Sequence, residues 1–155
     1  MDDWTYCVNT LPKVSRTFAL NISVLRGELY RSVLTAYLFC RTIDTIEDAA
    51  HLEGSAKARL LRDFSKLLEE AGPRETALEA WLQRCEGVDG SPNDLDLLKN
   101  IPRVFRVFDG LKPDHRNSII PSVSRMAKGM AYFQGRARTG MLVPLENENE
   151  LEEYC

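Results

Sequence analysis

Apolar residues in this chain recur every three or four positions and almost nowhere every second one. In "LPKVSRTFALNISVL" (residues 11–25) the stripe is Val14, Phe18, Ile22 and Leu25, with spacings of four, four and three. That is the period of an α-helix with one buried face, and it excludes a half-buried strand. The pattern continues from about Glu28 to Ala50, then through "AKARLLRDFSKLLEEAG", which Ser55 is placed to cap and Gly72-Pro73 to stop. "RETALEAWLQRC" (74–85) gives a short helix, and the polar, Gly- and Pro-containing "EGVDGSPND" (86–94) a loop from which Asn93 or Asp94 begins the next. "LDLLKNIPRVFRVFDG" is expected to bend at Pro102, and "DHRNSIIPSVSRMAKGMAYFQGRA" to be interrupted at Pro121. Alternating β-branched runs and Asn-Gly hairpin signals are missing. The expected fold is all-α, a bundle of about six helices. Near the end, Asn149 followed by Glu150, Glu152 and Glu153 reads as a further helix starting, two turns before Cys155.

The chain's 155 residues suffice for one domain with a real core, taken here as 1–155. With 44% hydrophobic and 28% charged residues it has the make-up of a soluble globular domain. A net charge of −3 argues against a nucleic-acid partner. No apolar run approaches the ~18 residues of a membrane span, and "MDDWTYCVNT" lacks the basic start and apolar centre of a signal peptide. Cys7, Cys40, Cys85 and Cys155 show no CxxC spacing, so they are read as reduced thiols in a cytoplasmic protein.

One helix carries an anomaly. "YLFCRTIDTIEDAA" (37–50) is apolar nearly all round, hence buried, yet contains Asp44, Glu47 and Asp48. A buried carboxylate needs a cation, a basic partner or open water. Tyr37, Arg41, Asp44 and Asp48 fall on one helix face, and Glu47 sits to the side. Two carboxylates one turn apart form a hard-oxygen site suited to Mg²⁺, which takes one or two protein carboxylates and completes its shell with water and phosphate oxygens. Arg41 is placed to pair with the acids or with a diphosphate directly. Against this stands the plainer reading of a solvated ion-pair ladder. A second constellation, Ser15-Arg16 in "SRTF", offers phosphate donors beside Phe18 on the apolar stripe. On its own it is equally ordinary helix surface.

Three segments, in order, resemble the squalene and phytoene synthase family, the trans-isoprenoid synthases that join two prenyl diphosphates head to head. "VSRTFALNI" (14–22) is similar to the family's Ser-Arg-[Ser/Thr]-Phe segment, and "AYLFCRTIDTIEDAA" to its first aspartate-rich motif with the upstream Tyr and Arg. "SRMAKGMAYF", a spacer and "EEYC" (124–155) resemble its Met-x2-Gly-Met segment preceding Tyr-Cys. The Asp-Thr-x-Glu-Asp spelling is closer to the squalene-forming branch than to the carotenoid one.

The resemblance implies an isoprenoid-synthase helical bundle and a transferase acting on farnesyl diphosphate. Two substrates would condense through presqualene diphosphate to squalene, with Mg²⁺-assisted ionisation and reduction by NADPH. Asp44 and Asp48 would hold Mg²⁺; Ser15, Arg16 and Arg41 would contact the diphosphate; Tyr37 would line the reaction centre. Tyr154 would handle a proton. Phe18, Met126, Gly129 and Met130 would face the isoprenoid channel, though channel wall and ordinary core look alike in sequence. The greasy substrate makes peripheral membrane contact reasonable. Alternatives are a phytoene or dehydrosqualene synthase and, from another class, a non-catalytic helical fragment serving as an interaction module. Family members are much longer and carry a second aspartate-rich motif that this chain lacks, so it is expected to be the N-terminal portion of a synthase domain, inactive by itself if the second metal-binding wall is required.

Overall fold

The computed structural model describes residues 1–136 of the chain. Among them there are eight helices and no strand: α1 Asp3–Val14, α2 Arg16–Ser23, α3 Gly27–Asp48, α4 Gly54–Glu69, α5 Glu75–Arg84, α6 Pro92–Lys99, α7 Ile101–Asp109 and α8 Pro113–Arg136. The helix expected at 149–155 lies outside the described residues.

The surplus over about six comes from two breaks. The stripe at 11–25 is split at Ser15, whose backbone is extended (φ −161°, ψ 113°) and whose Oγ accepts a bond from the Phe18 N–H, capping α2. Val14 therefore closes α1, which has already begun at the cap Asp2. The second break falls at Asn100, not at Pro102. Pro102 sits in the first turn of α7, where its missing N–H costs nothing.

Two other boundaries also depart from the expected ones. Helix α4 begins at Gly54 after Glu53, without a side-chain cap from Ser55. Helix α6 is capped by Ser91 with Pro92 next, so Asp94 is in its first turn. Pro121 does not interrupt α8. It is exposed, and the helix is held by Ile119, Val123, Ser124, Ala127 and Ala131, buried largely against α4 in the most extensive helix pair of the fold. One lost backbone bond is outweighed by that packing.

The core is aromatic where α3, α4, α5 and α7 converge. Phe39 meets Phe64, Phe105 and Phe108 with ring centroids 5.8, 4.8 and 5.5 Å apart, and Phe64 meets Trp81 at 5.3 Å. Trp81 donates its indole N–H to the Leu60 carbonyl at 2.9 Å, so the indole is not left unpaired. Burial of each such ring is worth about 1.5–3 kcal/mol. Cys7 and Cys85 belong to this interior, and burial pushes both thiols up to about 12. They are inert filler, as their spacing implied.

Candidate functional site: one face of α3

Helix α3 turns its apolar bulk, including Leu34, Leu38, Phe39, Ile43 and Ile46, into the core. Tyr37, Arg41 and Asp44 lie half-buried along its edge, and Asp48 is exposed at its last turn. The four share a face by helical spacing. At the start of that face Phe18 of α2 stacks on Tyr37, with centroids 4.9 Å apart and planes 30° from parallel. Phe18 is otherwise 51% exposed. Arg16, two residues before Phe18 on α2, is exposed and has no hydrogen-bond partner among the described residues. Ser15 already uses a lone pair as the α2 cap, which leaves its hydroxyl hydrogen to donate.

Arg41 pairs with neither acid of its own helix. Its Nε and Nη2 donate to Oδ1 and Oδ2 of Asp94 on α6, at 2.8 and 2.9 Å. Asp94 is fixed in turn: Ser91 Oγ donates to its Oδ2 at 2.6 Å and accepts from its backbone N–H at 3.2 Å. Burial works against the Asp94 anion, but the Arg41 and Ser91 bonds hold its carboxyl below the usual range. Its bonds to Asp94, more than any other influence, raise the Arg41 guanidinium.

Asp44 is in the opposite condition. It accepts no hydrogen bond among the described residues, and burial pushes its carboxyl up to about 6. Arg41 nearby favours the anion, while Asp48, Glu47 and Asp94 add to the upward push. A half-buried carboxylate with three acidic neighbours and its nearest guanidinium engaged elsewhere is short of positive charge. No group of three or more His, Cys, Asp or Glu side chains arranged for a metal occurs among the described residues. A donor set of one half-buried and one exposed aspartate nevertheless fits Mg²⁺, which needs only one or two protein carboxylates. Nothing among the described residues forms a strand–turn–helix phosphate cradle, so no residue is assigned to NADPH.

The far end of the face is bounded by α8. Gln134 Nε2 donates to Glu47 Oε1 at 3.4 Å, and Lys57 Nζ donates to the Glu47 carbonyl at 2.6 Å, closing the C-terminus of α3. Met126, Met130 and Gln134 share one row of α8 by helical spacing, so the row that carries the two methionines is the one reaching α3. Both methionines are half-buried against the core. Gly129 instead lines a groove of about 460 Å³ beside α4, with Glu69, Ser124 and Lys128. Tyr154 lies outside the described residues. Asp94 is the participant that sequence reasoning missed. Its only signal was a first-turn acid after Ser-Pro, which marks a helix start and not a site.

The sequence profile of the family Squalene/phytoene synthase matches residues 11–155. The chain is similar to the Botryococcus squalene synthase of Botryococcus braunii, with 34% identity over 131 residues, 84% of this chain and 26% of that protein. It is 35% identical over 129 residues to the squalene synthase of Yarrowia lipolytica, covering 82% of this chain and 26% of the relative. Among solved structures, the complex of TcSQS with the ligand E5700 superposes with a TM-score of 0.78 at 28% identity, over 99% of this chain and 40% of that one. The chain thus spans about a quarter of the length of the curated relatives it matches. Its all-α fold, its matched profile and these relatives agree: the chain belongs to the squalene/phytoene synthase family.

Proposed function

We propose that the α3 face is one wall of a prenyltransferase site that binds farnesyl diphosphate, with its diphosphate toward Asp44 and Asp48 and its prenyl chain along the Phe18–Tyr37 stack. The observation that carries this reading is Asp44: a half-buried carboxylate, unbonded and pushed up to about 6, on a helix face that continues into exposed aromatic surface. Asp44 and Asp48 would hold Mg²⁺, which when bound would offset diphosphate charge and ease its departure as a leaving group. Arg16 and the Ser15 hydroxyl supply donors from the start of α2, where the helix dipole also favours an anion. Phe18 and Tyr37 present apolar ring faces that exclude water from a developing allylic cation. The branch within the family is proposed as the squalene-forming one, in keeping with the squalene synthases of similar sequence.

The test uses the chain itself with farnesyl thiolodiphosphate, a non-ionising analogue, titrated calorimetrically with and without Mg²⁺. Mg²⁺-dependent binding in the wild type, reduced at least tenfold in Asp44→Asn with an unchanged helical spectrum, is the expected result. Binding that ignores both Mg²⁺ and Asp44 would overturn the reading of these acids as cation ligands. For branch, the longer protein that includes this chain is incubated with farnesyl diphosphate and Mg²⁺. Squalene formed only with NADPH supports the assignment, and a C40 or dehydro product moves it to the carotenoid side.

A further inference from the structure

An arginine three residues before one aspartate and seven before another, on the same helix face, would by default pair with them. Here it does not. Arg41 spends its two-pronged donor edge on Asp94, 53 residues away, and makes no hydrogen bond to Asp44 or Asp48.

The arrangement that draws it away is built with some care. Asp94 is 7% exposed and locked by Ser91 at 2.6 Å, and Pro92 stiffens the first turn of α6. The approach of this turn to α3 is close: a Cβ on Gly90, one residue before the cap, would meet Thr45 Cγ2 at 3.4 Å. Thr45 lies one residue beyond Asp44, so the α6 turn is seated beside the acids themselves.

We propose that Asp94 is a positioning residue that holds the Arg41 guanidinium on α6 and so keeps Asp44 and Asp48 free of a bonded counter-ion and open to a divalent cation. This rests on the reading of Asp44 as a cation ligand given above. It adds that the free state of those carboxylates is actively maintained from a different helix. A carboxylate pair bonded to an intramolecular counter-ion has part of its charge and lone pairs already used, which weakens its hold on a metal. With the counter-ion engaged on α6, no such competition arises.

The probe is Mn²⁺, whose free concentration is read by electron paramagnetic resonance as it is titrated into the 155-residue chain. In Asp94→Asn, Arg41 loses its anionic partner and swings to Asp44 or Asp48, and Mn²⁺ affinity is expected to fall about tenfold. The double variant Arg41→Gln/Asp94→Asn removes the competitor and is expected to bind Mn²⁺ as the wild type does. That recovery is the deciding observation, because a mere staple between α3 and α6 would leave the double variant as weak as the single one or weaker. The Arg41 Nε–H resonance gives a second readout, shifting in Asp94→Asn toward the position of a solvated or α3-paired guanidinium. Should Asp94→Asn fail to fold, Arg41→Lys keeps the charge without the fork, and weaker Mn²⁺ binding is expected there too. Unchanged affinity in Asp94→Asn or Arg41→Lys, while Asp44→Asn abolishes binding, overturns the role of Asp94 alone. Absence of Mn²⁺ binding in the wild type overturns the cation reading, and this inference with it.

Discussion

Asp44 combines two costs that ordinary carboxylates avoid, partial burial and acidic neighbours, and both are visible in a carboxyl pushed up to about 6. The sign of the effect is that of a group whose folded-state value is raised. Without metal, the anion weakens the fold at pH 7, and the penalty shrinks as pH falls below about 6, to vanish only near the ordinary value of 3.8. Asp44→Asn in EDTA is therefore expected to stabilise the protein at pH 7, by on the order of 1 kcal/mol once solvent screening is allowed for, seen as a higher melting temperature. At about pH 5 the gain should be roughly half as large and at about pH 4 almost gone, which melts across that range would check. The shared face of Tyr37, Arg41, Asp44 and Asp48 was legible in sequence because helical spacing alone dictates it. The partner of Arg41 was not, since no local rule links residues 41 and 94. Ser15 shows a different limit. One hydroxyl can cap a helix or meet a phosphate, and the sequence offered the second role without revealing the first.

Among the helices, periodicity located every expected element of the described chain, while breaks and starts went astray. Ser15 and Asn100 divide what the apolar stripe reads as continuous, because a stripe records which face is buried and says nothing of a corner between two helices burying the same side. Pro121 errs in the other direction. Its ring and missing N–H weaken α8, yet the long contact with α4 carries the helix through. The strain should be recoverable: Pro121→Ala, at an exposed site, is expected to stabilise the protein by about 1–3 kcal/mol, measured as a higher denaturant midpoint with an unchanged slope. A lower midpoint would mean that the proline is shaping a bend on which the α4–α8 contact depends.

Across the molecule, acidic side chains tie distant helices together. Asp3 on α1 accepts from Arg106 on α7, Asp94 on α6 from Arg41 on α3, and Glu69 on α4 from Lys128 on α8. Arg106 holds the Asp3 carboxyl below its usual range, Lys128 does the same for Glu69, and Arg41 with Ser91 outweighs burial at Asp94. Groups depressed in this way contribute stability above their unfolded values and lose it as pH falls through the folded ones. The contribution of these pairs to the denaturant midpoint is accordingly expected to hold between about pH 7 and 5 and to be lost below about pH 4, read most cleanly in the Asp44→Asn background; in 1 M NaCl the drop should be shallower as the exposed pairs are screened. None of these long-range ties is readable from sequence, where charge appears only as a total.

The contact of α1 with α7 carries one more implication. Arg106 and Arg103 reach back to Asp3 and to the Met1 carbonyl across roughly a hundred residues of intervening chain. On a ribosome the first helix thus emerges well before its docking surface is complete: α2, α3 and α6 cover part of its apolar side, Cys7 and Leu11 among it, and α7 closes the rest last. A nascent chain halted before Ile101 should hold that segment open to protease, and one released after α7 should protect it.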